Sequence, residues 1–109
     1  MAGSVSDQEL EYEIQNKGLN APRLTPAHID STIKEISYHK LTDVLTVCVL
    51  TLMNGFTVTG ESACASPENY NEEIGNKVAF DNAREKIWML EGYLLKEKLY
   101  QRSLNKQEM

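Results

Sequence analysis

The amino-acid sequence predicts an α+β fold, in which a small antiparallel β-hairpin sheet packs with a short N-terminal helix and one long C-terminal helix that also forms an oligomer interface. Three observations predict this class. β-Branched and apolar residues run from Val44 to Ala63 around Asn54-Gly55, the dipeptide most typical of a short hairpin turn. Apolar residues then recur at helical spacing from about residue 72 to residue 101. Helix-start signals precede the hairpin.

Composition limits the class of protein. The chain has 109 residues, of which 41% are hydrophobic and 25% charged, as in an ordinary globular domain. Its net charge of -5 repels phosphate backbones and argues against general nucleic-acid binding. We expect no signal peptide, because the first twenty residues lack a basic region and an apolar run, and no membrane span, because no stretch approaches ~20 apolar residues. We expect an acidic arm or short helix over residues 1–18, one α+β domain over residues 19–102, a polar tail over residues 103–109, and a cytoplasmic location.

The acidic N-terminal segment has a helix signature. Ser6-Asp7-Gln8-Glu9 has the form of a capping box, and Leu10 and Ile14 follow at helical spacing. Asn16-Lys17-Gly18 is a suitable end. This pattern predicts a short helix over about residues 7–17, which docks as an arm through its two apolar residues.

A second helix is predicted after a proline-containing extended segment at residues 19–24. Thr25-Pro26 has the form of an N-cap followed by the first helical residue. Ile29, Ile33 and Ile36 recur at helical spacing, which predicts a helix through about Lys40.

The Asn54-Gly55 turn sets the predicted register of the hairpin. A two-residue turn pairs Met53 with Phe56 and places one apolar face over the helices: Val47, Val49, Met53, Phe56 and Val58. The opposite face is half apolar, with Cys48, Leu50 and Leu52 on one strand and Thr57, Thr59 and Glu61 on the other. Such a face suits a groove or a second copy of the sheet. Gly60 lacks a side chain where another backbone or a ligand comes close.

The long C-terminal helix carries two apolar stripes on nearly opposite sides. One contains Ala79, Phe80, Ala83, Ile87, Leu90 and Leu94, and the other contains Ile74, Val78, Trp88, Leu95 and Leu99. A small hairpin covers only one stripe. The second stripe therefore predicts a homodimer or larger homo-oligomer. The alternative is a monomer whose N-terminal segment folds over this stripe.

Motifs for catalysis or metal binding are absent from the sequence. His28 and His39, placed in one predicted helix, lie about 16 Å apart along its axis, too far to share a metal ion. Cys48 and Cys64 are expected to be small, reduced, buried residues, with Cys48 opposite Glu61. We expect no catalytic residue, no metal and no cofactor, and hence a protein that is not an enzyme.

Five residues are candidates for binding. Arg84, on the flank between the stripes, offers a planar guanidinium to phosphate, and Phe56 offers a stacking surface to a base. Ser66 and Asn69 precede the long helix, where anions are favoured. Each has a simpler alternative: Arg84 pairs with Asp81 or Glu85, Phe56 is part of the core, and the polar residues, with Asn71, are caps. Arg23 is a second candidate for phosphate.

Uncommon words occur in order between residues 18 and 99: Pro22-Arg23, Thr25-Pro26, Thr46-Val47-Cys48-Val49-Leu50, Asn54-Gly55-Phe56-Thr57-Val58-Thr59-Gly60-Glu61-Ser62-Ala63-Cys64, Pro67-Glu68-Asn69-Tyr70, Glu73-Ile74-Gly75, Lys86-Ile87-Trp88 and Leu90-Glu91-Gly92-Tyr93-Leu94-Leu95. In these short motifs the chain resembles the small tailed-phage proteins of the gene-product-forty-nine-like family. The resemblance implies a phage accessory protein that acts in the host bacterial cytoplasm. Met89 stands where the family word has proline, so we expect a straighter helix there.

The layout of helix, hairpin and long helix also resembles the first-described Thoeris anti-defence sponge, a phage protein that sequesters cyclic ADP-ribose-type immune signals without cleaving them. Phe56 and Arg84 are the counterparts of its hairpin aromatic and helix arginine. The resemblance implies that Phe56 stacks on the base, that Arg84 and Arg23 contact phosphates, and that Asn69 or Ser66 contacts the ribose or an anion. The alternatives are an interaction protein that inhibits a host macromolecule through the sheet face and acidic arm, and a hydrolase of the same signal.

Overall fold

The computed structural model describes residues 7–16 and 21–108. Its elements, in chain order, are the helices α1 (Asp7–Asn16) and α2 (Pro26–Ser31), the strands β1 (Ile33–Lys40), β2 (Leu45–Leu52) and β3 (Thr57–Ala63), a 3-10 turn (Pro67–Asn69) and the long helix α3 (Glu72–Glu108). The strands form one antiparallel sheet in the order β1-β2-β3, and α3 packs on it. The predicted α+β class is confirmed, with a third strand added to the hairpin.

Helix α1 agrees with the short helix predicted over about residues 7–17. Its first turn contains Asp7 and Glu9, which the positive end of the helix dipole favours. Ser6 and Gly18, the predicted caps of this helix, lie outside the described residues, as does the first part of the extended segment.

The helix predicted through Lys40 is wrong beyond Ser31. Thr25 caps α2 as expected, with its side-chain oxygen accepting from the backbone N–H of His28 at 3.1 Å. At the other end the backbone N–H of Thr32 donates to the Ile29 carbonyl at 3.1 Å, and the Thr32 hydroxyl donates to the same oxygen at 2.7 Å. The helix therefore ends there, and the chain continues as β1.

The spacing of Ile33 and Ile36 fits a helix, but in the structure it arises from an irregularity in β1. Ile33 pairs with Leu52 and Glu35 pairs with Thr51, so one extra residue lies between them on β1. This shift places Ile33 and Ile36 on the same face of a strand at a spacing that also fits a helix. Pairing with β2 decides between the two, since strand preference depends on tertiary context.

The predicted hairpin register is wrong by one residue. The loop has three residues, Met53, Asn54 and Gly55, because the backbone N–H of Leu52 donates to the carbonyl of Phe56 at 2.8 Å. Gly55 has a φ of +90°, the left-handed conformation that a three-residue hairpin loop requires.

Because of this shift, the face of β2 that was predicted to point outward packs on α3, and the face predicted to cover the helices points outward. The face toward α3 carries Thr46, Cys48, Leu50 and Leu52 with Val58 and Gly60, instead of Val47, Val49, Met53 and Phe56. The predicted half-apolar outer face is therefore wrong, because its three apolar residues form the core. Cys48 lies opposite Gly60 rather than Glu61. Both cysteines are free, as expected, although only Cys48 is fully buried.

The core forms where α3 crosses β2 and β3. Ala79, Ala83 and Ile87 of the first helix stripe are fully buried against Leu50 and other strand residues. A Cβ on Gly60 would overlap the backbone of Ala79 and Ala83, so the predicted close approach at this glycine is confirmed.

Helix α3 begins after Asn71, whose side-chain oxygen accepts from the backbone N–H of Ile74 at 3.0 Å. It is continuous past Met89 and extends to Glu108, beyond the predicted end near residue 101. On the second stripe, Ile74 and Val78 are exposed, whereas Trp88, Leu95 and Leu99 are partly buried. In the part of the chain that the structure describes, no helix is long and apolar enough to cross a membrane.

Candidate functional site

An open groove of about 530 Å³ lies beside β1. Four elements line it: α1 contributes Asp7, α2 contributes Asp30, β1 contributes Ile33 and Ile36, and α3 contributes Phe80, Asp81 and Arg84. We call it the Arg84 groove. Its volume is within the range of small-molecule sites.

Arg84 is the centre of this groove. Its side chain is only 15% exposed, and its Nε donates to Oδ1 of Asp30 at 2.8 Å. Nη1 donates to Oδ2 of Asp7 at 3.2 Å, and Nη2 donates to the Pro26 carbonyl at 3.4 Å. The guanidinium also lies 6.0 Å from the ring centroid of Trp88. The ion pairs of Arg84 thus go to other helices rather than to its neighbours Asp81 and Glu85.

Electrostatics keep Arg84 charged in its partly buried position. Burial alone would lower the pKa of the guanidinium, but its hydrogen bonds and charge interactions with Asp30 and Asp7 raise that pKa overall. Arginine is protonated at any physiological pH, so the shift leaves its charge unchanged. The hydrogen bonds to Asp30 and Asp7 hold the donors of Arg84 toward these two carboxylates.

The groove combines three kinds of binding chemistry. Arg84 offers a fork of donors, which suits phosphate or carboxylate. The carboxylates of Asp7, Asp30 and Asp81 accept hydrogen bonds, as ribose hydroxyls require, and Phe80 adds an aromatic wall. With three carboxylates against one guanidinium, an anionic ligand must exchange with a carboxylate rather than add to the groove.

Arg23 lines a different concave surface. A cleft of about 240 Å³ lies between the start of α2 and the second half of α3, with Arg23, His28, Glu91 and Lys98 among its lining residues. His28 Nε2 lies 2.7 Å from Oε1 of Glu91 and links the two helices. Two permanent cations and one carboxylate line the cleft, which makes it more basic than the Arg84 groove.

Asn69 lines a third cleft, of about 250 Å³, where the 3-10 turn and the start of α3 meet β2 and β3. Ser66 lies at the beginning of the same turn, and its hydroxyl donates to the carboxylate of Glu68. That hydrogen bond lowers the pKa of Glu68. Asn71 caps α3, as the simpler alternative for these polar residues predicts, whereas Asn69 is the last residue of the 3-10 turn.

Phe56 lies at the tip of the hairpin and is 55% exposed. It is not part of the core, which removes the simpler explanation of this residue. The described lining of the Arg84 groove does not include it. Within one protomer Arg84, Arg23 and Asn69 therefore line three different concave surfaces, Ser66 precedes the 3-10 turn, and Phe56 lies at the hairpin tip.

Sequence reasoning missed the partners of Arg84. Asp7 and Asp30 precede it by 77 and 54 residues, and no spacing rule connects positions so far apart. Phe80 was assigned to the core stripe, one turn before Arg84, and its place at the groove follows from the path of α3 across the sheet. Among residues 7–16 and 21–108, no group of three or more His, Cys, Asp or Glu side chains could hold a metal ion.

Comparison with known proteins gives one match. The model of the family described as "Phage protein (N4 Gp49/phage Sf6 gene 66) family" matches residues 24–99, which include α2, the whole sheet and most of α3. No curated protein and no solved structure was found to match the chain.

Proposed function

The chain belongs to the phage N4 Gp49/phage Sf6 gene 66 protein family, and from this premise we propose that it is an anti-defence protein of the host bacterial cytoplasm. It binds a nucleotide-derived immune signalling molecule and withholds it from its receptor without cleaving it. The ligand is a cyclic ADP-ribose or a cyclic oligonucleotide. The protein uses no cofactor and is not an enzyme.

The observation that supports this proposal is the partly buried side chain of Arg84 on the wall of an open groove. A cyclic ADP-ribose needs donors for phosphate, acceptors for ribose hydroxyls and an apolar surface for adenine. Arg84, Asp30 and Phe80 supply one group of each kind within a single concave surface.

The negative charge of the groove determines how the ligand enters. Phosphate binding is most favourable when the phosphate replaces one carboxylate on Arg84, because the guanidinium then stays paired with an anion throughout. Asp7 is the exchangeable partner, since its bond of 3.2 Å is longer than the 2.8 Å bond of Asp30. It also belongs to α1, whereas Asp30 belongs to a helix that packs on α3.

The other four predicted binding residues do not line the Arg84 groove of their own protomer, so a second protomer must bring them to it. We propose a homo-oligomer in which the second stripe of α3, with Ile74, Val78, Trp88, Leu95 and Leu99, forms a contact between copies. In that assembly Phe56, Arg23, Asn69 or Ser66 of one copy contributes to ligand binding beside Arg84 of another.

The test is calorimetric titration of the protein with cyclic ADP-ribose isomers and with cyclic di- and trinucleotides. We expect saturable binding of at least one of them at micromolar protein concentration. Absence of heat with every member of this panel would overturn the proposal.

A second measurement separates sequestration from hydrolysis. The complex is incubated, denatured by heat, and the released small molecule is identified by mass spectrometry. We expect the intact ligand in stoichiometric amount. Progressive accumulation of a cleaved product would show an enzyme instead.

One observation favours the alternative, a protein that inhibits a host macromolecule. Helix α1 is acidic and exposes Leu10 and Tyr12, as a docking arm would. The half-apolar sheet face predicted for this role is buried under α3, so the role passes to the opposite face of the sheet, on which Val47 and Val49 are partly exposed. A stoichiometric host protein in a pull-down, lost in Tyr12→Ser but kept in Arg84→Ala, would support this function over sequestration.

A further inference from the structure

Strand β1 has an open edge. Among the described residues it pairs on one side only, with β2, and its residues 34–40 are all exposed. An eight-residue edge with unpaired backbone donors and acceptors is a template for another strand. None of the described residues 34–40 is proline, and the irregularity near Ile33 leaves the rest of the strand regular.

The same strand carries apolar side chains that α3 leaves uncovered. Ile36 pairs with Leu50, and Tyr38 pairs with Cys48, so both lie on the face of the sheet that α3 packs on. Leu50 and Cys48 are fully buried, whereas Ile36 is 48% exposed and Tyr38 42% exposed. The uncovered strip follows the open edge, and Ile36 also lines the Arg84 groove.

The side chains of β1 are complementary to a second copy of β1. In an antiparallel pair centred on Ser37, Ile36 of each copy stands opposite Tyr38 of the other on the helix-bearing face. On the outer face, Glu35 of each copy stands opposite His39 of the other. Apolar residues thus meet apolar residues, and a carboxylate meets an imidazole, twice each, whereas Lys34 stands opposite Lys40 where the strand is irregular. The neighbouring register centred on Ile36 keeps one apolar contact, Ile36 with Ile36, but it places Glu35 opposite Ser37 and Lys34 opposite Tyr38 and loses the pairs of Glu35 with His39.

We propose that two copies of this chain pair antiparallel through β1 about Ser37, giving a continuous six-stranded sheet. Both α3 helices then lie on the same face of that sheet. Tyr38 of each copy lies beside Ile36 at the open side of the Arg84 groove of the other copy. The groove gains an aromatic ring that one protomer lacks, and this use of Tyr38 in ligand binding rests on the proposed function.

The test is disulfide cross-linking at the centre of symmetry, in the full chain with Cys64→Ser to remove the more exposed native thiol. Ser37→Cys places two cysteines directly opposite each other at a Cβ separation of about 5 Å. Glu35→Cys is the matched control on the same exposed face, with its two copies about 13 Å apart along the strands. We expect covalent dimers with Ser37→Cys and not with Glu35→Cys under mild oxidation. Equal cross-linking of the two, or none with Ser37→Cys, would overturn the proposal.

A charge exchange in the Ser37→Cys background tests the register independently. His39→Glu places two carboxylates opposite one another at both symmetric pairs and should weaken the cross-linking of that background by about ten-fold, whereas Glu35→Lys removes the acid that faces His39 and should weaken it less. The two changes together restore opposite charges and should restore cross-linking. Failure of the variant with both charge changes to recover would exclude the Ser37-centred register.

These measurements use no ligand. A pairing defect is therefore seen in cross-linking, whereas failure of the proposed function is seen in calorimetry with the wild-type chain. If the pairing is correct and the groove binds the proposed ligand, a disulfide-linked Ser37→Cys dimer that also carries Tyr38→Ala binds the ligand more weakly than the same linked dimer with Tyr38, because the cross-link holds the pairing while the ring is removed.

Discussion

Helix α3 covers two of the three strands and leaves the third uncovered, although all three lie in one sheet. Leu50 on β2 is fully buried, whereas its neighbour Ile36 on β1 is nearly half exposed on the same face. The difference arises from small residues. Gly60, Ala79 and Ala83 let the helix backbone approach β3 closely, and in this position α3 packs mainly on β3 and β2.

This comparison assigns different roles to the two regions. The closely packed region over β2 and β3 supplies stability, because buried apolar area is the dominant favourable term in folding. The open region beside β1 contains the Arg84 groove and an unpaired strand edge. Substitutions in the first region should therefore change the free energy of unfolding, and substitutions in the second should change binding.

Gly60→Val should have the largest effect. The new side chain overlaps the backbone of Ala79 and Ala83, so α3 must move off the sheet, at a cost of about 3 kcal/mol in the free energy of unfolding. Urea unfolding followed by circular dichroism measures this loss.

Gly92→Ala is the matched control for that variant. A Cβ at this helix position meets only Leu24 Cδ1, at 4.0 Å, so alanine should stabilise α3 by about 0.5 kcal/mol. Equal unfolding midpoints for Gly60→Val and the wild type would contradict the close approach of helix and sheet.

Leu50→Ala and Ile36→Ala compare the two regions directly, since the residues stand opposite each other on neighbouring strands. Leu50→Ala should cost about 2.5 kcal/mol because it leaves a cavity in the core. Ile36→Ala should cost about 0.5 kcal/mol in the isolated protomer because its side chain already contacts solvent. Urea titrations at low protein concentration measure both, and similar losses would show that β1 is covered as well.

Asp7→Asn should lower the stability of the fold slightly and raise the affinity for the ligand. The ion pair with Arg84 involves an aspartate side chain that is 53% exposed, so its loss should cost at most about 0.5 kcal/mol. Because phosphate then meets a neutral competitor, ligand affinity should rise. Titration calorimetry of this variant beside Glu9→Gln, another acid of α1, measures the change, and weaker binding in Asp7→Asn would show that Asp7 contacts the ligand itself.

The two thiols should differ in reactivity without any change of sequence. Burial raises the pKa of Cys48, so at a given pH less of it is thiolate, the reactive form. Cys64 is only partly buried and should react with an aromatic disulfide reagent in the folded protein, whereas Cys48 should react only after unfolding. Rapid reaction of both thiols in native buffer would contradict a closed core over β2.

Local signals in the sequence were sufficient for the helices at both ends and for the existence of the hairpin. They failed where two local structures share a spacing. Ile33 and Ile36 fit either a helix or an irregular strand, and only pairing with β2 selects the strand. The Asn54-Gly55 turn fits a loop of two or three residues, and a shift of one residue moves every side chain of a strand to the other face.

The candidate site was predictable in part. Arg84 was identified because it lies between two apolar stripes, where a long side chain is partly buried. Its partners Asp7 and Asp30 were missed because they come from separate helices that meet only in the folded chain. Phe56, predicted as a stacking residue, lies at the hairpin tip, outside the described lining of the groove. Local sequence signals do not show how far the tip lies from the groove, because that depends on the tertiary structure.

The most direct test of ligand binding at the groove is an equilibrium titration of three proteins with the ligand that the calorimetric panel identifies. The wild type is compared with Arg84→Ala and with Lys86→Ala, which removes an exposed cation from the same helix. Loss of a charge-assisted pair to phosphate should weaken binding by about 3 kcal/mol in Arg84→Ala, and Lys86→Ala should bind like the wild type. Unchanged affinity in a folded Arg84→Ala protein would contradict the assignment of the groove as the binding site.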